Sequence, residues 1–207
     1  MKTKYSKITF KIALIIIFMI SLLFGVVYLV NEKSKSSVKS VLVDPFLTQN
    51  VKKHQPTIEK YAKEYGVEKH IDTLLAMMMQ ESGGRGNDPM QSSESFCGEV
   101  GCIDNPEKSI EQGVKYFSEN LKAAKGDVRL AVQSYNFGTG FSNYVKDRNE
   151  DFSQEIAIQF SQEMYAKAED KSIYTCLRKE AKAYDACYGD IYYARDVMKY
   201  QKAFAKK

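Results

Sequence analysis

The chain has 207 residues, 44% of them hydrophobic and 27% charged, which fits one globular domain with appendages and argues against a disordered chain, a collagen-like chain or a long multidomain enzyme. Its formal charge of +4 is unevenly spread: residues 1–44 hold seven lysines against Glu32 and Asp44, so the remainder is close to neutral. Electrostatic capture of nucleic acid needs a positive folded surface to displace counterions from phosphates, so no nucleic-acid partner is expected.

The first segment, 1–11, is a basic N-terminus with Lys2, Lys4, Lys7 and Lys11, expected to stay cytoplasmic. Ile12 to Val30 then runs 19 residues without a charge. As a helix it covers roughly 28 Å, close to the hydrocarbon thickness of a bilayer. A cleaved signal peptide shares this layout, but LVNEKSKSS offers no small-x-small cleavage pattern. The expectation is therefore an uncleaved transmembrane anchor over 12–30, with the body outside the cell. Residues 31–49 read as a polar tether of roughly 65 Å at full stretch and about 25 Å as a coil, holding a domain over 50–207 near the membrane.

Beyond the tether, apolar positions recur at helical spacing and no comparable strand-like alternation occurs, so the domain is expected to be all-α. The spacing predicts helices over 51–65, 71–82, 106–124, 127–136, 141–147, 154–168, 173–183 and 188–204. Asn105-Pro106 supplies an N-cap and a first-turn proline, and Gly66 and Gly126 mark helix ends. Four cysteines form two local pairs, Cys97 with Cys102 and Cys176 with Cys187. In an exported domain an even number reads as disulfides, and adjacent pairing is the simplest of the three connectivities. A zinc site or four buried thiols are the other readings. Zinc fits less well, because neither pair has knuckle spacing and His54 and His70 lie far off in sequence. Both histidines read as surface residues near helix ends. No metal site and no cofactor are expected.

The candidate chemistry sits in Leu74 to Ser95, LLAMMMQESGGRGNDPMQSSES. Leu74, Met77, Met78 and Glu81 share one helical face, so an apolar stripe ends on a carboxylate. Apolar surroundings resist ionisation and keep a glutamic acid protonated near neutral pH, as a general acid requires. Gly83, Gly84 and Gly86 would end the helix and let a large substrate approach. Asp88 is a second carboxylate in a more polar setting, expected to stay ionised, and such a pair suits cleavage of a glycosidic bond. Each feature also has a plainer reading: a solvated helix-end Glu, core methionines, an ordinary loop, or a surface Arg85–Asp88 ion pair worth little.

The order Glu81-Ser82, glycine loop, Met90-Gln91 and Ser134-Tyr135-Asn136-Phe137-Gly138 resembles the ES, GLMQ and AYNxG series of goose-type lysozymes and soluble lytic transglycosylases. ESGGRGNDPMQSSES, SIEQGVKYF, SYNFGTGF and YGDIYYARDVMKY together resemble the lysozyme-like domain of CwlT-type cell-wall hydrolases of Gram-positive bacteria, over about Val51 to Phe204. The resemblance implies a lysozyme-like helical domain in which Glu81 protonates the oxygen between N-acetylmuramic acid and N-acetylglucosamine and Asp88 assists. It implies that Met90, Gln91 and Ser92 line the sugar cleft and that Tyr135 and Asn136 hold substrate and orient the acid. For Tyr135, simple core packing is the competing reading. CwlT-type proteins carry a peptidase domain that this sequence does not show, so no peptidase activity is expected. With no Trp, sugar-stacking faces fall to Tyr and Phe.

The function expected is that of a membrane-anchored N-acetylmuramidase on the cell-wall side, with peptidoglycan glycan strands as partner. The resemblance also implies local wall opening for a conjugation or secretion apparatus. Attack by the substrate's own C6 hydroxyl would make it a lytic transglycosylase with 1,6-anhydro products, and a non-catalytic wall-binding module would keep the cleft without the chemistry.

Overall fold

The computed structural model describes residues 45–205. The expected cytoplasmic segment (1–11), the anchor (12–30) and most of the tether lie outside the described residues. Among the described residues no helix is long and apolar enough to cross a membrane.

The described residues form α1 (Pro45–Lys53), α2 (Gln55–Glu64), a 3-10 turn (Glu68–His70), α3 (Ile71–Glu81), α4 (Ser93–Cys97), α5 (Pro106–Ala123), α6 (Val128–Phe137), α7 (Gly140–Asp147), α8 (Gln154–Lys167), a second 3-10 turn (Lys171–Ile173), α9 (Lys179–Ala183) and α10 (Tyr193–Phe204). No strand occurs among them. α3 is the hub. Every residue from Thr73 to Met79 is buried, so this helix has no solvated face along its middle and must be surrounded by others. α10 packs along it, and Gln201 donates to the hydroxyl of the fully buried Thr73 at 2.9 Å. α1 and α2 also pack on α3. A second cluster of rings, Phe137, Phe141, Tyr144, Phe160 and Tyr188, joins α6, α7 and α8 to the corner before α10.

Helix starts follow their caps. Asn105 accepts from the N–H groups of Glu107 (2.8 Å) and Lys108 (3.2 Å), with Pro106 in the first turn of α5. Asp127 does the same for α6, and Ser153 for α8. Both adjacent cysteine pairs, Cys97–Cys102 and Cys176–Cys187, are disulfide-bonded.

Four departures from the sequence expectation have local causes. The helix expected over 51–65 is two helices, because Pro56 offers no N–H and its ring would clash with the preceding turn. α1 begins at Pro45, so the last part of the stretch read as tether belongs to the packed body. The span 173–183 is not one helix: Arg178 is extended at φ −132, ψ 147 and only Lys179–Ala183 is helical, since this strand-like piece is tied to the next corner by the Cys176–Cys187 bridge and by Arg178 to Asp190. Residues 188–192 form a corner rather than the first turn of α10, with Gly189 in the left-handed region at φ +62.

Candidate active site

Glu81 is the last residue of α3. Leu74, Met77 and Met78 behind it are wholly buried, as their shared face requires. The carboxyl accepts a hydrogen bond from the Tyr193 hydroxyl at 2.5 Å. Burial pushes its pKa up to about 7, against the pull of the Tyr193 hydrogen bond, and the charges of Asp88 and Asp190 add to the rise. A carboxylic acid that holds its proton to neutral pH is thus present where the apolar stripe ends.

The loop after Glu81 is built around the Ser82 hydroxyl, which donates to the Pro89 carbonyl (2.8 Å) and accepts from the N–H groups of Gly84 (3.0 Å) and Arg85 (3.2 Å). Gly83, Gly84 and Gly86 all have positive φ. Their use differs from the expected clearing of space for substrate. A Cβ on Gly84 would lie 2.8 Å from the Val51 backbone nitrogen, and one on Gly83 would lie 3.0 Å from Leu47, so these two let α1 close onto the loop. His54 adds a ring-nitrogen contact to the Gly84 carbonyl at 3.2 Å. Only Gly86 of the three faces open space. Arg85 donates to the Ser82 carbonyl at 2.6 Å, and no Arg85–Asp88 ion pair occurs among the described residues.

Asp88 is half-buried, more enclosed than its polar setting suggested. One oxygen accepts from the Ser92 N–H (2.9 Å) and the Ser109 hydroxyl (2.6 Å), the other from the Ser93 N–H (3.1 Å) and hydroxyl (2.6 Å). Burial alone would raise its pKa, but these donors outweigh it and hold the carboxyl below the ordinary aspartate value. The same bonds start α4, a helix the hydrophobic pattern does not reveal, and fasten it to α5.

The residues expected to line the cleft divide into two groups. Met90 is fully buried, with its N–H on the Ser109 hydroxyl (2.9 Å) and its carbonyl accepting from the Tyr135 hydroxyl (2.9 Å). Ser92 is buried too and donates to the Ser109 carbonyl at 2.9 Å. Both are packing residues. Tyr135 is buried with its hydroxyl spent on Met90 and its ring stacked on Tyr193 at 6.5 Å between centroids, which is the core role weighed for it. Gln91 and Asn136, unlike Met90 and Ser92, border a groove of about 270 Å³, which Glu94, Tyr116, Tyr188 and an edge of Tyr135 also line. Gln91 is exposed and adopts φ 47, and the half-buried Asn136 accepts from the Asp190 N–H at 2.7 Å.

With this geometry the match to known proteins is informative: residues 48–201 match the family described as Lysozyme-like. The chain belongs to the lysozyme-like family. Its lysozyme-like domain is of the CwlT type. It is 39% identical over 160 residues to the bifunctional muramidase/DL-endopeptidase CwlT of Bacillus subtilis (strain 168), an alignment covering 77% of this chain and 44% of that protein. It is 33% identical over 170 residues to the uncharacterized membrane protein YocA of the same strain, covering 79% and 75% of the two chains. Among solved structures, a protein similar to a lipoprotein of the NLP/P60 family from Staphylococcus aureus subsp. aureus Mu50 superposes with a TM-score of 0.64 at 39% identity, over 74% of this chain and 52% of that one. The chain thus spans under half of CwlT.

Motif reading leaves without a role three residues that the structure ties to Glu81 or to the corner beside it: Tyr193, Asp190 and Gln133. YGDIYYARDVMKY contains the first two, but nothing in it says which of its four tyrosines reaches Glu81. Gln133 sits two positions before the Tyr-Asn pair and is fully buried. A glutamine at an apolar helical position is the one signal that could have marked it.

Proposed function

We propose that this chain is a membrane-anchored peptidoglycan hydrolase, an N-acetylmuramidase that cleaves the β-1,4 bond between N-acetylmuramic acid and N-acetylglucosamine with Glu81 as general acid. The observation that carries the reading is the Glu81 carboxyl, pushed up to about 7 by burial at the end of an apolar helix. Glu81 gives its proton to the bridging oxygen as the anomeric C–O bond breaks, N-acetylglucosamine leaves with a free hydroxyl, and water adds at the anomeric carbon. The proton lost by that water restores the acid. The muramidase half of the name borne by CwlT supports the bond assignment. The groove bordered by Gln91, Asn136, Tyr116 and Tyr188 offers amide groups for acetamido and hydroxyl contacts and ring faces for sugar.

One observation favours a second reading. The four donors from Ser92, Ser93 and Ser109 occupy the lone pairs of Asp88 that a general base would need to hold water. With no water held there, the C6 hydroxyl of muramic acid attacks the anomeric carbon, its proton goes to Glu81, and a 1,6-anhydro end results. Mass spectrometry of strands released from purified peptidoglycan separates the readings. Reducing muramic acid ends support the muramidase, anhydro ends support the transglycosylase, and no released strands would contradict both in favour of a wall-binding module.

An anchor over 12–30, proposed from its uncharged apolar sequence, would put this activity on the outer face of the membrane, and the description of YocA as a membrane protein supports that reading. Protease added to intact protoplasts should remove the body while sparing the N-terminus; full protection would contradict this placement. Local wall opening for a conjugation or secretion apparatus rests on the resemblance alone, and a deletion that leaves DNA transfer and envelope assembly unchanged would count against it.

A further inference from the structure

Tyr193 reaches Glu81 from the first position of α10, and the corner just before it is gripped from one face of α6. Gln133 is wholly buried, donates Nε2 to the Asp190 carbonyl at 2.8 Å and accepts the Ala194 N–H at Oε1 at 3.1 Å, so its amide holds the backbone on both sides of Tyr193. Asn136 follows three positions later on the same helical face and accepts the Asp190 N–H at 2.7 Å. The approach is close: a Cβ on Gly189 would stand 2.7 Å from the Phe137 ring and 2.8 Å from Asn136 Oδ1. From the other side Arg178 donates two hydrogen bonds of 2.6 Å to the Asp190 carboxylate.

We infer that Gln133 and Asn136 are positioning residues, whose side-chain amides fix the Asp190–Ala194 backbone so that the Tyr193 hydroxyl is aimed at Glu81. An apolar side chain at 133 would fill the same volume, but it would leave the buried Ala194 N–H unpaired, would leave the Asp190 carbonyl with the Tyr193 N–H alone, and would impose no register on the corner. The inference rests on the reading of Glu81 as the acid. Four titratable groups face Glu81: Asp88 from the loop before α4, Tyr135 from α6, Asp190 from the corner and Tyr193 from α10. Among them Tyr193 alone donates a hydrogen bond to it, and such a donor favours the ionised carboxylate. A misaimed phenol therefore leaves Glu81 holding its proton to higher pH.

The test is an NMR titration of the Glu81 carboxyl in the whole oxidised chain in micelles, labelled at glutamate side-chain carbons, with the resonance assigned by its loss in Glu81→Gln. Tyr193→Phe should move the midpoint up by about one pH unit. Gln133→Met and Asn136→Ala should each move it in the same direction, and neither should add to the shift once Tyr193 is Phe. Midpoints equal to the parent's in both amide variants, or shifts that add to that of Tyr193→Phe, would overturn the inference. If Gln133→Met fails to fold, Asn136→Ala, at a half-buried position, carries the test alone. The titration uses no substrate, so its failure is distinct from failure of the hydrolase reading, which the activity of Glu81→Gln decides.

Discussion

The Tyr193 hydroxyl lies 2.5 Å from Glu81 Oε1, across 112 positions of sequence. The pair joins the first residue of α10 to the last residue of α3, so the helix that closes the fold also sets the acid. Burial and the phenol act in opposite directions on the carboxyl, and burial wins. The result is an acid poised near neutrality rather than one locked in either form.

Stability should record that balance. The folded chain holds the Glu81 proton up to about 7, against 4.5 for an ordinary glutamate. A raised folded value means that the contribution of this group is fully present below about 4.5 and is lost as pH rises through about 7. Glu81→Gln removes the loss, so its stability relative to the parent should improve by up to about 3 kcal/mol between pH 4 and pH 8. Urea unfolding across that range checks this; a constant difference between the two proteins would contradict it.

Asp88 should behave in the opposite way. Its folded value is depressed, so the stability it lends is present above the ordinary aspartate range and lost as pH falls. Asp88→Asn turns an amide against donors that need acceptors, and should cost about 2–4 kcal/mol. Hydrogen exchange should show the loss concentrated in 88–97. A variant as stable as the parent would mean that the serine hydroxyls find other partners.

Gly113 lies inside α5, where alanine ordinarily gains about 1 kcal/mol of helix propensity. Here a Cβ would stand 2.7 Å from Met90 Cβ and 2.9 Å from the Tyr135 hydroxyl. Overpacking costs of about 1–3 kcal/mol outweigh the propensity, so Gly113→Ala should be destabilising despite its helical position. Thermal unfolding gives the sign directly.

Much of the fold is legible in the chain because it is local. The period of apolar residues reveals α3, α5, α6, α7 and α8, and their caps at Asn105, Asp127 and Ser153 confirm where three of them start. The cysteines pair with their sequence neighbours. Glu81 stands out because an apolar stripe points to it. What the chain does not display depends on distant partners. α4 exists because Asp88 caps it, Gly84 is a glycine because α1 returns to it, and Tyr193 matters because Gln133 and Asn136 hold the corner it springs from. Met90 and Ser92 carry the motif but face inward, since a motif marks a segment and not the direction of each side chain.

The most direct measurement is the initial rate at which the whole oxidised chain releases glycan ends from purified peptidoglycan at pH 6, beside Glu81→Gln. General acid catalysis contributes about 10²–10⁴-fold, so the variant should fall by at least about a hundredfold while remaining folded by circular dichroism. A folded Glu81→Gln protein that works within a few-fold of the parent would contradict the assignment of Glu81 as the proton donor.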